Sequence, residues 1–402
     1  MFEIVGKHGL AKVFAKDYDE SAIKQIYGIL ASPISKDANV RIMPDYHAGA
    51  GCVIGTTMKI GDKVCPNIVG VDIGCGVLTI ELGKASIDLE KLDNFIKREI
   101  PSGFSVGNSS SFYTECLVNE LRCFKDIKNL DRIYKSMGSL GGGNHFIEID
   151  KDDDNNKYLL IHTGSRNLGL QVAKYYQDKA TKKISDSLGS ARETLIHENI
   201  KALKEAGLQE SIPNYLKNEA SFKRSWSKDL DFLVGQDMED YLHDMFICQQ
   251  FARDNRRSIA EKILDFLNIK DYEYFDTIHN YIDIKSKILR KGAVSAKRQE
   301  RLVIPINMRD GALICIGKGN PEWNCSAPHG AGRILSRSEA KRQLTEDQFK
   351  ETMDGVYTST ATIDTIDESP MAYKPIENII GSIGDTVEIV KTIKPIYNFK
   401  AN

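Results

Sequence analysis

Between about residues 40 and 82, short apolar runs (CVIGTTMKI, NIVGVDI, GVLTIEL) alternate with glycines, which predicts strands separated by tight turns. Residues 87–99 (IDLEKLDNFIKRE) change to a helical period and predict an amphipathic helix. A second strand-and-glycine block spans 138–166, where HFIEID and YLLIHTG flank the polar turn KDDDNN. From about 167 to 268 the text is charged and helical. Tyr241, Leu242, Met245 and Phe246, then Ile259, Ile263, Phe266 and Leu267, recur there at roughly helical spacing. Strand-like text resumes at 301 (RLVIPINM, ALICIG), followed by a helix expected near 336–350 and a β-like stretch, DTVEIVKTIKPIYNF. No internal repeat or low-complexity linker interrupts the chain. The pattern predicts an α+β fold: one unit over 1–402 with a mainly helical insertion at 167–268.

Composition narrows the class. The 402 residues are 41% hydrophobic and 27% charged, which suits a soluble protein with a large core. No run approaches the roughly 20 apolar residues of a membrane helix. The opening MFEIVGKHGLAKVFAKD is charged throughout, so no secretory signal is expected. Eight cysteines, at 52, 65, 75, 116, 123, 248, 315 and 325, form no CxxC pair. That argues against a disulfide framework or zinc ribbon and for a reducing, cytoplasmic setting. The formal net charge of -2 selects no partner, because a nucleic-acid protein needs only a local basic surface.

The histidines carry the chemistry. Of eight, five sit in glycine-rich or turn-like text: His47 (MPDYHAGAG), His145 (GGGNHF), His162 (IHTGSRN), His279 (IHNYID) and His329 (APHGAGR). Between the first two lies VDIGCG, with Asp72 and Cys75. Imidazole, thiolate and carboxylate are the ligand set of a divalent transition metal, and this many donors would serve two ions bridged by the thiolate. Singly, each has an ordinary reading: a hydrogen-bonded histidine, a small buried thiol, a turn aspartate. The flanking glycines tip the balance, since they let backbone approach a ligand closely. GSLGGGNHF and HGAGR could also present backbone N–H groups to a phosphate, although no P-loop is present.

MPDYHAGAGCVIG, VDIGCG, GGGNHFIE, HTGSRN, HNY and HGAGR occur here in the order in which they occur in the RtcB family of RNA ligases, and the chain resembles that family from about residue 40 onward. The resemblance implies an RtcB-like core of β-sheets surrounded by helices. It implies an enzyme that uses two Mn²⁺ ions and GTP to join RNA ends bearing a 2′,3′-cyclic phosphate or 3′-phosphate to 5′-hydroxyl ends, in tRNA splicing or RNA repair. Asp72, Cys75, His145, His162 and His279 would be metal ligands, and His329 the residue that becomes guanylylated. Nucleotide contacts would run along Asn144, His145, Phe146, Ile147 and Glu148, then His279 and Asn280. Further on they would include Pro305, Ile306, Asn307 and Met308, then His329, Gly330, Ala331 and Gly332, with Tyr373 and Lys400 at the base. Arg166 and Asp45 would meet RNA or phosphate. Many members read GSM where this chain has Ile306, Asn307 and Met308, a departure in the segment that lines the guanine pocket. The alternatives are a metal-dependent cyclic phosphodiesterase, which would lack the nucleotide histidine, and an inactive RNA-binding protein, which would lack ligands. An RNA track is expected along the basic run Lys285, Lys287, Arg290, Lys291, Lys297, Arg298 and Arg301, extended by Arg253, Arg256 and Arg257.

Overall fold

Two large sheets take most of the strand-forming text, and two short strand pairs take the rest. The computed structural model describes residues 1–218 and 224–400, so 219–223, within the stretch read as helical, lie outside the described residues, as do 401 and 402. The first sheet has six strands, in the order Phe2–Val5, Leu10–Val13, Val40–His47, Ile54–Lys59, Ile288–Lys291, Asn280–Asp283. Leu10–Val13 and Val40–His47 are parallel, as a strand pair joined through a helix must be, here Glu20–Ala31. The second sheet has seven strands, in the order Glu273–Ile278, Gly76–Gly83, Lys157–Thr163, Phe146–Lys151, Val387–Lys400, Gly311–Gly317, Arg301–Asn307, all antiparallel.

Alternation along the seven-stranded sheet sorts its side chains. Leu78, Ile80, Ile147, Ile149, Leu159 and Ile161 share one core cluster with Leu92 and Ile96 of helix Leu89–Glu99 and with Ile259 and Ile263 of helix Gly235–Leu267. The opposite face carries Val77, Phe146 and Leu160, and the polar side chains that line the cleft described below. The fourteen-residue strand Val387–Lys400 serves two partners. It pairs Gly311–Gly317 through its first half and Phe146–Lys151 through its second, with a register shift at Pro395. A proline cannot donate to a ladder, so an irregularity there is expected.

The charged middle of the chain forms two long helices, Arg166–Glu205 and Gly235–Leu267. In the second, Tyr241, Met245, Cys248, Phe251, Asn255, Ile259 and Ile263 make a continuous buried stripe at helical spacing. Phe246 falls off that stripe and is half exposed, and Phe266 lies flat on Phe95 with ring centroids 4.3 Å apart, so neither belongs to the core stripe expected of them. The helix expected near 336–350 is two, Arg337–Gln343 and Glu346–Thr352, each opened by its own capping box at Ser336 and Thr345. The fold is a mixed α+β one. Among the described residues, no helix is long and apolar enough to cross a membrane.

Candidate active site

VDIGCG turns the chain from helix Pro66–Val69 into strand Gly76–Gly83, and the turn is closed by Cys75 N–H donating to the Asp72 carbonyl at 3.2 Å. His145 precedes strand Phe146–Lys151, and His162 lies within the adjacent Lys157–Thr163, across from Phe146. His279 joins two strands and donates its backbone N–H to the Cys75 carbonyl at 2.9 Å. Gly164 permits the close approach of Asp72: a Cβ there would lie 2.1 Å from its carboxylate. These five residues converge. Asp72, Cys75 and His145 form one triad and Cys75, His162 and His279 another, with ligand atoms within 4.8 Å in each, and Cys75 belongs to both.

Hydrogen bonds fix which nitrogen of each ring faces the cluster. His145 Nδ1 lies 2.9 Å from the Leu140 carbonyl and His162 Nδ1 lies 3.0 Å from the Asn144 carbonyl. A carbonyl only accepts, so Nδ1 of His162 bears the proton and its Nε2 is a lone pair, whereas His145, whose Nε2 faces the Asp72 carboxylate, has an acceptor at each nitrogen. His162 Nε2 points at Cys75 Sγ, 3.3 Å away, and His145 Nε2 lies 3.5 Å from Sγ and 3.0 Å from an Asp72 oxygen. Burial first, then the charges around them, push His162 and His279 well below the usual histidine range. Burial and the Asp72 charge push the Cys75 thiol well up. Burial would raise Asp72 also, but its hydrogen bond to His145 and the charge of His145 outweigh that and hold it at about 2. Two imidazoles held neutral, His162 and His279, together with His145, a thiol that needs a cation to ionise and an ionised carboxylate form a donor set that would hold divalent transition-metal ions.

Helix Gly235–Leu267 ties these turns together. Arg256 is buried, pairs with Asp276 at 2.6 Å and donates to the carbonyls of Gly74 and Thr163 at 2.9 and 2.8 Å. Asn255 accepts from the Gly138 and Ser139 backbone at 2.7 and 3.1 Å, fixing the loop that leads to His145. Neither role was visible in the sequence, where Arg256 reads as one charge in a helical run.

His329 stands beside the second triad, its ring centroid 4.9 Å from that of His279. One Asp45 oxygen accepts from His329 N–H at 3.1 Å and lies 2.7 Å from Nδ1. The proton therefore sits on Nδ1, and Nε2 is left as a nucleophilic lone pair. Asp45 is fully buried and commits that oxygen to His329. Expected to meet RNA or phosphate, Asp45 is found hydrogen-bonded to His329. Gly332 makes this possible, because at its φ of 75° a Cβ would meet the Asp45 carbonyl oxygen at 2.3 Å.

A cleft of about 810 Å³ runs from His162 and His279 past His329 to Lys400. Asn144, Phe146, Glu148, Pro305, Ile306, Asn307, Met308, Gly330, Ala331, Gly332 and Tyr373 line it as well. Its far end is charged and buried. Glu368 is 2.6 Å from the Tyr373 hydroxyl, 2.8 Å from Arg337, and 3.3 Å from both Arg333 and Lys400. Burial would raise Glu368, but Lys400, Arg337 and Arg333 together hold it down at about 2. Asn398 donates to Glu148, whose neighbour Asp150 is buried without a hydrogen-bond partner; burial pushes both carboxyls up. Arg333, Arg337, Glu368, Asn398 and His47 were not among the expected contacts, although HGAGR and MPDYH already contained Arg333 and His47.

Several expected contacts lie elsewhere. Ile147 points away from the cleft into the core with Ile149 and Ile161, because strand alternation places it opposite Phe146 and Glu148. Asn280 is absorbed by backbone: its Oδ1 accepts from Gly292 N–H at 3.0 Å and its Nδ2 donates to the Asp72 carbonyl at 3.3 Å. Arg166 sits beside the first triad, with a guanidinium nitrogen 3.1 Å from His145 Nδ1 and a buried, unpartnered Nε. The basic run is mostly structural. Arg290 is fully buried and bonds Ser326 and the Tyr281 hydroxyl, because its strand lies inside the six-stranded sheet. Lys291 is buried and donates to the carbonyls of Ala50 and Asn67 at 3.0 and 2.9 Å. Lys297 pairs with Asp283 at 2.5 Å and Arg301 with Glu81 and Glu273. Lys285, Lys287 and Arg298 remain exposed.

A family model described as tRNA-splicing ligase RtcB matches residues 25–126 and 118–401. The chain is 29% identical to the RNA-splicing ligase RtcB of Escherichia coli, with 89% of each chain covered. It is 25% identical to the tRNA-splicing ligase RtcB of Aeropyrum pernix, over 84% of this chain and 82% of that one. The tRNA-splicing ligase RtcB of Thermococcus kodakarensis is likewise 25% identical, over 88% and 86%.

Proposed function

Because this chain belongs to the RtcB family of RNA ligases, we propose that it joins RNA 2′,3′-cyclic phosphate or 3′-phosphate ends to 5′-hydroxyl ends through a guanylylated His329. The observation that carries the reading is His329 itself: a lone pair at Nε2, fixed by buried Asp45, in the cleft that His162 and His279 of the second triad also line. Asp72, Cys75 and His145 would hold one Mn²⁺ ion and Cys75, His162 and His279 the other. Such ions would neutralise and orient phosphates in the cleft.

A 3′-phosphate lacks a leaving group, and the chain's residues supply a route to one. His329 Nε2 attacks the α-phosphorus of GTP; a P–N bond forms and the bond to pyrophosphate breaks. Asp45 stabilises the positive imidazole that results. An oxygen of the RNA 3′-phosphate then attacks the same phosphorus, the P–N bond breaks and His329 returns to its neutral form. The 5′-hydroxyl attacks the RNA phosphorus, and GMP leaves. A cyclic end is opened by water beforehand. Arg166, beside the first triad, would hold an RNA phosphate, and the end of the cleft formed by Glu148, Tyr373 and Lys400 would hold the base.

Incubation with α-labelled GTP and Mn²⁺, followed by denaturing electrophoresis, tests this. A labelled band that disappears in His329→Ala is the expected result. A band that persists in that variant removes His329 as the nucleophile. Cyclic-phosphate opening with no band under any nucleotide would instead identify a phosphodiesterase.

A further inference from the structure

Asp45 governs two histidines. Its carboxylate accepts a hydrogen bond from Nδ1–H of His329, while its backbone carbonyl lies 2.9 Å from Nδ1 of His47. That carbonyl can only accept, so His47 also carries its proton on Nδ1 and presents Nε2 as a bare lone pair. Two positions along an extended strand place residues on the same face, and the MPDYH spacing of Asp45 and His47 uses that geometry. Both rings line the same cleft. The titratable groups around His47 are His329, Asp45 and Arg333. Burial, the strongest influence, holds it down at about 4; His329 and Arg333 act in the same direction and Asp45 opposes them. His47 is thus a neutral acceptor at pH 7, and the steps above leave it unused.

Only one joining partner arrives with a proton to lose. The imidazole of His329 attacks through a lone pair, and the RNA 3′-phosphate through an oxyanion. The 5′-hydroxyl must give up its hydrogen. Resting on the ligase reading, we propose that His47 is the general base of the final step, taking the 5′-hydroxyl proton on Nε2. In that step the 5′-oxygen forms a bond to the RNA 3′-phosphorus, the bond from that phosphorus to GMP breaks, and the proton passes from oxygen to His47. Product phosphates then surround a positive imidazole, and release of the proton to water resets the site.

Single-turnover reactions with labelled GTP, a 3′-phosphate RNA and a 5′-hydroxyl RNA resolve the three species: His329 adduct, RNA carrying a 3′-terminal GMP, and joined RNA. In His47→Gln and His47→Ala, adduct and GMP-bearing RNA are expected at wild-type rates. Joining is expected to slow on the order of 10²–10⁴-fold, so that GMP-bearing RNA accumulates. Adduct formation itself reports that the variants fold. A 5′-thiol is far more acidic than the alcohol, with a free thiol at about 8.5, and depends much less on a base, so it should narrow the gap between variant and wild type. Joining within about threefold of wild type overturns the proposal, as does an equal deficit with the thiol. Loss of the adduct in both variants would mean that His47 acts through His329, and also overturns it. Absence of adduct in the wild-type protein would instead sink the ligase reading.

Discussion

At one end of the cleft stand His162 and His279, held neutral by burial, and they cluster with Cys75, which is shared with His145 and Asp72, the single carboxylate of the five. At the other end, Glu368 is enclosed by Arg333, Arg337 and Lys400, so charge is already compensated within the protein. The first end is a set of donors whose chemistry suits a cation, which a metal ion would join without breaking an ion pair to Lys or Arg. The second is closed on itself, and a ligand reaching Lys400 must compete with Glu368 for it. Metal and nucleotide would therefore load by different physics, one by filling and one by exchange.

The sharpest way to separate the ends is Cys75→Ala. Cys75 is common to both triads, so its loss should reduce bound Mn²⁺ from two ions per chain to at most one. Joined RNA should fall by more than about 100-fold, beyond the 10–100-fold typical of residues that only support ligands. Two ions retained, counted by equilibrium dialysis, would remove sulfur from the metal site. Asp45→Asn lies between the ends and should leave the ion count unchanged. It should slow adduct formation by about 10³–10⁴-fold, because the amide no longer enforces the Nδ1–H form of His329. An unaltered rate would mean that Asp45 only packs.

The closed end has a pH signature. Glu368 is held at about 2 in the fold, against an ordinary value of 4.5. A carboxyl depressed by folding contributes its full stability above the ordinary value, and that contribution is lost as pH falls from about 4.5 toward 2. For this group the contribution is on the order of 3 kcal/mol. Glu368→Gln should be less stable than wild type at pH 7 in urea titrations, since Arg333, Arg337 and Lys400 lose its charge and, among the described residues, only Arg337 keeps a second carboxylate, Asp367. The two proteins should converge near pH 2. A constant difference across that range would show that Glu368 acts through packing alone.

The ligand end was legible in the sequence and the closed end was not, for a physical reason. Glycines and histidines at turns announce close approach to a ligand, and the five donors expected from them do converge. Which triad each histidine joins depends on strand pairing over dozens of residues, and no local pattern records that. Glu368, Arg337 and Asn398 look like ordinary charged or polar positions until the C-terminal strand brings them against Phe146–Lys151 and the HGAGR turn. The basic run misled in the opposite direction. Arg290 and Lys291 read as a solvated stripe, yet the sheet closes over them and satisfies their charges with hydroxyls and carbonyls.

The smallest effect tests whether strand alternation, rather than sequence proximity, decides what touches the nucleotide. Phe146 and Glu148 face the cleft, and Ile147 between them is fully buried among Ile149, Leu159 and Ile161 on the other face. Ile147→Val removes one methylene from that core, which should reduce stability by about 0.5–1.5 kcal/mol. The cleft wall should not change, so GTP affinity measured by calorimetry should stay within twofold of wild type. Glu148→Gln should do the reverse, weakening nucleotide binding more than it alters the fold, because its carboxylate lines the cleft. If Ile147→Val weakened GTP binding as much as Glu148→Gln, the two faces of the strand would be coupled, and the division of labour between core and cleft would fail.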